Sequence, residues 1–241
     1  MRITISKENY LKAIAEAEGE GEVVIAATLA RWLQVSPPAV TMAIRRLKRD
    51  GLIRVTAAGE ITLAREGREI ANRVMTRHHL IERMLTEIFG MEWYKVHDEA
   101  EQMEHAVSAD FENRLREKLG ESESCPHGNR VGMDRPRDRR ERGWKPLDEI
   151  SDGGPAQVTS VFERDRRLLE YLDGLGIRPG AKLRVMSRNY DDTLTLKVGA
   201  KSVQLGRPAA AKVWVTESGQ YTQSPISVPA ARGKILKRPG D

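Results

Sequence analysis

The sequence predicts a mainly α-helical protein with a small β domain. Apolar residues recur at helical spacing over most of the first 120 residues. After Gly51 the period changes, and LIRVTAAGEITL (residues 52–63) is typical of a short β-hairpin. From about residue 157 the pattern changes again, to short alternating strands with one intervening helix.

The helical part divides into three short helices before the hairpin and two longer ones after it. Gly51 is expected to end the third helix, because glycine readily takes the left-handed conformation found just past a helix C-terminus. A turn at Gly90 separates the two later helices. The predicted helices are 6–18, 25–33, 37–50, 65–88 and a single long helix over 94–118.

The second half differs in composition. Residues 131–156 are polar, charged and bear proline and glycine, which is typical of a linker. Five short strands around the helix RRLLEYLDGLG then indicate a small barrel of SH3-like size. The predicted organisation is a winged-helix unit (1–73), a helical unit (74–130), the linker (131–156), the barrel (157–216) and a disordered tail (217–241).

Composition excludes several classes of protein. A single cysteine excludes any intrachain disulfide framework. No apolar run approaches the 18 residues or so of a membrane span, and the N-terminus lacks the apolar core of a signal peptide. We therefore expect a soluble, cytoplasmic protein with no membrane partner.

The net charge of +5 is mild but unevenly distributed. Residues 36–55 carry five bases against one acid, whereas residues 77–123 carry twelve acids against six bases and four of the five histidines. A basic patch beside a patch of acids and histidines indicates one surface for a polyanion and another for a cation.

The two helices after the first one, together with the hairpin, indicate a winged helix-turn-helix. Helix 25–33, a tight turn, helix 37–50 and the hairpin have its order and size, and the second helix then enters the DNA major groove. The residues expected at base edges are Ser36, Pro38, Thr41 and Met42, and those expected at phosphates are Arg45, Arg46, Lys48 and Arg49. Few of the former offer strong hydrogen bonds to bases, so we expect thymine-methyl contact and DNA shape to carry much of the specificity.

The acidic stretch predicts a metal site. One helix face carries four candidate ligands at i, i+4, i+7 and i+8, and the preceding helix carries two more, one turn apart. Mixed nitrogen and oxygen ligation without several thiolates fits Mn²⁺ or Fe²⁺ better than structural zinc. A di-iron carboxylate enzyme would need Glu-x-x-His on two helices, a pattern that is not met. The candidates are His97, Glu101, Glu104 and His105, with His78 and Glu82.

Five segments together resemble a known family. ENYLKAI, SPPAVTMAIRRLKRDGLI, RHHLIERMLTEIFG, KVHDEAEQMEHAVS and CPHGN are similar to the iron- and manganese-dependent repressors of the diphtheria toxin repressor family. The resemblance covers about residues 5–130, and LLEYLDGLGIRPG extends it into the barrel. It implies a homodimer that binds a palindromic DNA operator, with a winged helix, a helical dimerisation and metal-binding domain, and an SH3-like, FeoA-type third domain.

The resemblance also implies a grouping of the metal ligands. A first site would comprise Asn9, Glu101, Glu104 and His105. A second would comprise His78, Glu82 and His97, closed by Asp165, with Cys125 and His127 matching a version found in the manganese-type branch. Two positions depart from the family pattern: Asn9 stands where Met or Asp is common, and Lys12 stands where some manganese regulators have an acid.

The function expected from these features is repression of metal-uptake genes by a dimer loaded with Mn²⁺. Glu101 favours Mn²⁺ because the iron-type branch has cysteine at the matching position, and a carboxylate is the harder ligand. An Fe²⁺-responsive repressor is the alternative within the family. A metal-dependent enzyme with a DNA-binding anchor is the alternative from another class, and it would need an open coordination position and a substrate cleft.

Overall fold

A computed structural model describes residues 3–120 and 122–217 of the chain. The predicted tail lies outside this range, apart from Glu217 at the end of the last strand. The helices are α1 (Ile5–Gly19), α2 (Ala26–Leu33), α3 (Pro37–Arg49), α4 (Arg65–Glu87), α5 (Val96–Met103), α6 (Ala109–Leu119), α7 (Pro136–Glu141), α8 (Arg166–Gly174) and α9 (Arg207–Ala210). The strands are β1 (Ile53–Val55), β2 (Ile61–Leu63), β3 (Lys145–Pro146), β4 (Pro155–Val161), β5 (Lys182–Arg188), β6 (Leu194–Val198), β7 (Lys201–Leu205) and β8 (Val213–Glu217).

The N-terminal unit packs α1, α2 and α3 against the β1–β2 hairpin and the start of α4. Its core includes Leu11, Ile14 and Leu29, all fully buried. Gly67 allows α4 to begin directly against this unit, because a Cβ there would lie 2.0 Å from the carbonyl oxygen of Leu52. The predicted order of three helices and a hairpin is confirmed.

Helix α4 runs from the N-terminal unit into a second, helical core. Its C-terminal half packs on α5 and α6 through buried residues such as Ile81, Val96 and Leu115. Among the described residues, no helix is both long and apolar enough to cross a membrane.

The single helix expected over 94–118 is wrong, because α5 and α6 are separate. The backbone of Ser108 is extended (ψ 158°), and its hydroxyl accepts a hydrogen bond from the backbone N–H of Phe111 at 3.2 Å. Ser108 is thus an N-cap that starts a new helix, with an acid at residue 110 in its first turn.

The C-terminal unit is a six-stranded antiparallel sheet in the order β3-β8-β4-β5-β6-β7. Register shifts in β4 and β5, between Val158 and Ser160 and between Val185 and Ser187, mark bulges that bend the strands. Helix α8 buries Leu169 in the core of this unit. The predicted small β domain with one main helix is confirmed.

The stretch expected to be a linker contains ordered structure. Helix α7 lies within it, and β3 pairs with β8. Trp144, Leu147 and Ile150 are buried, which explains the order. Their contribution is hidden in the sequence because charged residues, proline and glycine dominate the local composition.

Candidate DNA-binding face and metal centre

The candidate DNA-binding face is formed by α3. Between α2 and α3, Gln34 takes a left-handed conformation (φ 53°) that reverses the chain. Val40 and Leu47 turn inward and are buried, so the opposite face of α3 is left to solvent. All eight residues predicted to contact DNA are exposed: Ser36, Pro38, Thr41, Met42, Arg45, Arg46, Lys48 and Arg49.

The positive charge of this face is largely uncompensated. Within the described part of the chain, Arg45, Arg46 and Lys48 form no ion pair. Arg49 lies 3.4 Å from Asp50, whose carboxylate also pairs with another base on α1 at 2.8 Å. Exposed, unpaired cations along one helix are suited to contact phosphates.

A first group of charged side chains, the lysine cluster, joins α1, α4 and α5. It consists of Lys12, Glu16, His78, Glu101 and Glu104. The ammonium nitrogen of Lys12 lies 2.7 Å from Glu104 Oε2 and 3.1 Å from His78 Nδ1. It lies 3.6 Å from Glu16 Oε1 and 3.7 Å from Glu101 Oε1. Lys12 is only 4% exposed, so its charge is enclosed by these partners.

Lys12 remains an ammonium despite its burial. Burial alone lowers the pKa of Lys12, but the negative charges of Glu16, Glu104 and Glu101 outweigh it and raise the pKa above its usual value. Conversely, burial raises the pKa of Glu104, but its hydrogen bond with His78 and the charge of Lys12 bring the pKa below the usual range. The cluster is therefore a set of charged partners that stabilise one another.

A second group, the histidine cluster, lies on the other side of the His78 ring. It consists of Glu82, His97, Cys125, His127 and Glu163, all buried. Glu82 Oε1 lies 3.3 Å from His97 Nδ1 and 3.4 Å from His127 Nδ1. Glu163 Oε2 lies 3.6 Å from both Cys125 Sγ and His127 Nδ1.

The loop CPHGN is held tightly against the end of β4. Gly128 has φ +80°, and a Cβ there would lie 1.9 Å from the carbonyl oxygen of Thr159, so no other residue fits without displacing the backbone. The Asn129 side-chain amide donates to Glu163 Oε2 at 2.6 Å. This packing brings the cysteine and histidine of the loop to the carboxylate of Glu163.

Hydrogen bonds to the backbone fix which ring nitrogen of two histidines can bind a metal. His127 Nε2 lies 2.8 Å from the carbonyl oxygen of Trp93 and donates to it, so Nδ1, which faces Glu163, is the nitrogen open to a metal. His79 is the opposite case, because its Nδ1 accepts from the N–H of Gly132 at 3.2 Å. Its protonated Nε2 faces Glu163 Oε1 at 3.6 Å. Both histidines thus direct a ring nitrogen at Glu163, His127 its Nδ1 and His79 its Nε2.

In the metal-free protein, two candidate ligands of the histidine cluster carry protons. Burial lowers the pKa of His97, but hydrogen bonds with Glu101 and Glu82 outweigh it and raise the pKa to about 10. Burial raises the pKa of Cys125, and the negative charges of Glu82 and Glu163 raise it further, well above its usual value. At neutral pH the imidazole is thus charged and the thiol is protonated.

The donor set of the histidine cluster fits a divalent transition metal. Glu82 Oε2 is buried and has no hydrogen-bond partner among the described residues, and an unpaired buried carboxylate oxygen is costly. Carboxylates and imidazoles with one thiolate suit Mn²⁺ and Fe²⁺. Two groups of side chains could hold a metal, because within each group the potential ligand atoms all lie within 4.8 Å of one another. One group is His78, Glu82, His97 and Glu163, and the other is His79, Glu82, Cys125 and Glu163.

The residues expected to complete the first site are placed differently. Asn9 is exposed, and its side chain forms no hydrogen bond in the described part of the chain. The neighbouring Glu8 instead lies 2.8 Å from His105 Nδ1, and His105 Nε2 lies 3.4 Å from Glu104 Oε1. The structure therefore brings Glu101 and Glu104 together with Lys12, and not with Asn9.

Asp165, expected to close the second site, is exposed and caps α8. Its Oδ1 accepts a hydrogen bond from the backbone N–H of Leu168 at 3.0 Å. Glu163, two residues earlier, enters the histidine cluster in its place. The sequence carried a usable signal, since Asp before RRLLE is typical of an N-cap and an N-cap side chain is already occupied. Sequence reasoning also missed His79, although it directly follows the predicted ligand His78 in the sequence.

Three models of protein families match successive parts of the chain. The N-terminal DNA-binding domain of iron-dependent repressors matches residues 2–59, their metal-binding and dimerisation domain matches 64–131, and the FeoA domain matches 145–217. The diphtheria toxin repressor of Corynebacterium glutamicum is 33% identical over 208 residues, which cover 82% of this chain and 90% of that protein. The chain belongs to the diphtheria toxin repressor family. As a member, it is a metal-dependent transcriptional repressor, as the resemblance implied.

Other members of the diphtheria toxin repressor family are similarly close. The iron-dependent repressor IdeR of Mycobacterium leprae is 31% identical over 219 residues, covering 86% of this chain and 95% of that protein. A manganese-dependent transcriptional repressor solved in complex with manganese has a TM-score of 0.79 and 32% identity, covering 88% of this chain and 99% of that one. ScaR solved with bound Cd²⁺ has a TM-score of 0.74 and 29% identity, covering 87% and 98%.

Proposed function

We propose that the chain binds a palindromic operator as a homodimer when Mn²⁺ occupies the histidine cluster, and so represses metal-uptake genes. The observation that carries the proposal is the adjacency of Glu163 and Arg164. Glu163 lies in the histidine cluster, whereas Arg164 contacts the DNA-binding unit. Two consecutive residues thus connect the candidate metal centre to the DNA-binding face.

The contacts of Arg164 explain how the connection works. Its Nη2 donates to the carbonyl oxygen of Trp32 at 3.2 Å, and its guanidinium lies 4.9 Å from the centre of the Trp32 ring. It also forms an ion pair with Glu16 on α1. Trp32 belongs to α2, which packs on α3. A metal that fixes Glu163 would therefore favour one orientation of the recognition helix, and binding shifts the population towards the DNA-competent state.

The choice of Mn²⁺ over Fe²⁺ follows from the donors. Glu82, Glu163 and the imidazoles are hard or borderline ligands, which suit Mn²⁺, and only Cys125 is soft. The likeness to a repressor solved with manganese supports the same choice. Fe²⁺ is the alternative, since the relatives identified by sequence include repressors named for iron.

The homodimer is proposed to form through the helical unit. Ile88, Phe89 and Phe111 are exposed around the end of α4 and on α6, within the matched metal-binding and dimerisation domain. Ile88 and Phe89 are adjacent in the chain and place two large apolar side chains on one exposed part of this domain, and exposed apolar patches are typical of protein interfaces. With chromosomal DNA as its partner, the protein would act in the cytoplasm.

DNA binding measured with and without metal tests the proposal. Fluorescence anisotropy with duplex DNA from upstream of the protein's own gene, at fixed ionic strength, would compare metal-free, Mn²⁺-loaded and anaerobic Fe²⁺-loaded protein. We expect Mn²⁺ to tighten binding at least tenfold, in keeping with coupling free energies of about 1–3 kcal/mol. Equal DNA affinity in all three states would exclude a metal-dependent repressor. A turnover screen with Mn²⁺ and Fe²⁺ separately addresses the enzyme alternative.

The ligand assignment is tested by two nearby acids. Glu163→Gln should weaken Mn²⁺ binding at least tenfold, because it removes a carboxylate from the centre of the cluster. Asp165→Asn is the matched control: it keeps an N-cap that is about as effective and should leave Mn²⁺ affinity unchanged. Isothermal titration calorimetry gives both values. Loss of binding in Asp165→Asn but not in Glu163→Gln would reverse the assignment.

A further inference from the structure

Lys12 occupies the space between the two carboxylates expected to hold a metal. Its ammonium nitrogen lies 2.7 Å from Glu104 Oε2 and 3.7 Å from Glu101 Oε1. Carboxylate oxygens bind divalent cations at about 2.0–2.6 Å. A metal that bridged Glu101 and Glu104 would therefore have to displace the lysine head group from its position.

The charge of the lysine cluster is already nearly balanced. Glu16, Glu101 and Glu104 supply three negative charges, Lys12 and the neighbouring Arg164 supply two positive ones, and the imidazole of His97 lies 3.6 Å from Glu101. Buried carboxylates require such compensation, because an unpaired buried charge is strongly destabilising. At most one negative charge is left uncompensated, which is less than a divalent cation would bring.

The two clusters also differ in the oxygen atoms that remain available. Both oxygens of Glu104 are engaged, Oε2 by Lys12 and His78 and Oε1 by His105 at 3.4 Å. In the histidine cluster, Glu82 Oε2 has no hydrogen-bond partner within the described ranges. Neither of the ligand sets found among those residues includes Glu101 or Glu104.

We propose that the ammonium group of Lys12 is a built-in cation that replaces a metal ion in the lysine cluster, so that each protomer binds a divalent metal in the histidine cluster only. The proposal rests on the proposed function in that the histidine cluster binds the activating metal. It follows that α1 is tied to α4 and α5 at all times, and that metal acts on the DNA-binding unit through Glu163 and Arg164.

The number of metals per protomer tests this proposal. Native mass spectrometry of the full-length protein with excess Mn²⁺ should find one ion per wild-type protomer. Lys12→Leu removes the buried ammonium from between Glu101 and Glu104 without adding a ligand atom, and should raise the number to two. Lys12→Arg keeps a cation and should stay at one. Lys7→Leu, on the same helix and outside both clusters, is the matched control and should also stay at one.

Two outcomes would overturn the proposal. One is two Mn²⁺ ions per wild-type protomer, and the other is a folded Lys12→Leu protein, verified by circular dichroism, that still binds one. If Lys12→Leu does not fold, the wild-type number alone decides. Failure of the proposed function is distinguishable, because it would appear as Mn²⁺-independent DNA binding by the wild type, whatever the number of ions bound.

Discussion

At the scale of single residues, the protons of the histidine cluster compete with metal. Cys125 has a raised pKa and His97 a pKa of about 10, so both are protonated between pH 6 and pH 8 in the metal-free protein. A ligand must lose its proton to bind metal. Mn²⁺ affinity should therefore rise with pH, by about tenfold per pH unit for each proton released. Calorimetry at pH 6, 7 and 8 measures the slope.

Cys125→Ser separates the contribution of the thiol. The substitution should lower Mn²⁺ affinity and reduce the pH slope by about one proton, because serine has no acidic proton to release in this range. Far-UV circular dichroism should be unchanged, since the two side chains differ by one atom. An unaltered slope would show that Cys125 is not a ligand.

Gly128 is predicted to be essential for the shape of the metal centre. Gly128→Ala adds a Cβ 1.9 Å from the carbonyl oxygen of Thr159 and also strains a backbone at φ +80°. Gly180→Ala is the control, because Gly180 has φ +85° but nothing within 4 Å of the added atom. The control should lose roughly 1–2 kcal/mol of unfolding free energy from strain alone. Gly128→Ala should lose more and also bind Mn²⁺ more weakly; equal losses would contradict the close-packing argument.

Residue types and spacing predicted several residues that the structure brings together, but not how they divide between the lysine cluster and the histidine cluster. Glu82 and His97 could be found because their elements are regular helices and their spacing projects them to one side. Glu163 could not, because it follows a strand and no periodicity shows which way its side chain turns. The sequence showed that Lys12 stands where some manganese regulators have an acid. It could not show that the Lys12 side chain lies between Glu101 and Glu104, because that depends on how α1 packs on α4 and α5.

At the scale of elements, the basic side chains of α3 should bind DNA phosphates and should not contribute to the choice of DNA sequence. Arg45→Ala should weaken binding to all DNA sequences and reduce the slope of log affinity against log salt by roughly one unit. Lys201→Ala, which removes an exposed base from β7, is the control and should change neither quantity. Anisotropy titrations over a range of salt concentrations measure both. If Arg45→Ala changed which DNA sequence is preferred, this arginine would contact a DNA base and not a phosphate.

The elements that sequence patterns predicted well are those with one dominant period. The α5–α6 boundary was missed because apolar residues continue at helical spacing across it, and the period cannot report a break made by one capping hydroxyl at Ser108. Strand β3 was missed because it has two residues, too few for any alternation to be seen. Local hydrogen bonds and pairing partners, and not hydrophobicity, decide both features.

At the scale of the whole molecule, Arg164 should couple metal to DNA without binding either. Arg164→Met removes its hydrogen bond to Trp32 and its ion pair with Glu16, so the gain in DNA affinity on adding Mn²⁺ should shrink by several-fold or more. The mutant should still bind Mn²⁺ in the histidine cluster. Arg166→Met is the control: Arg166 is exposed on α8, and its loss should preserve the full gain. An undiminished gain in Arg164→Met would show that coupling takes another route.

The order of the three units could be predicted because each has its own pattern of hydrophobicity. Their connection could not, because Arg164 and Trp32 are 132 positions apart and their contact leaves no periodic trace in the sequence. The same is true of Trp93, which follows α4 yet packs in the core of the C-terminal unit and donates to Asp173 at 2.7 Å. Such contacts depend on how completed units dock.

The central claim, that metal and DNA binding are coupled, is most directly tested by measuring the affinity for Mn²⁺ with and without operator DNA. Coupling is reciprocal, so DNA must tighten Mn²⁺ binding by the same total factor by which Mn²⁺ tightens DNA binding, once the metals of both protomers are included. Calorimetric titration of Mn²⁺ into the protein alone and into the protein–operator complex, at one pH and one salt concentration, gives this factor. We predict tighter Mn²⁺ binding in the complex; the same Mn²⁺ affinity in both would contradict the account.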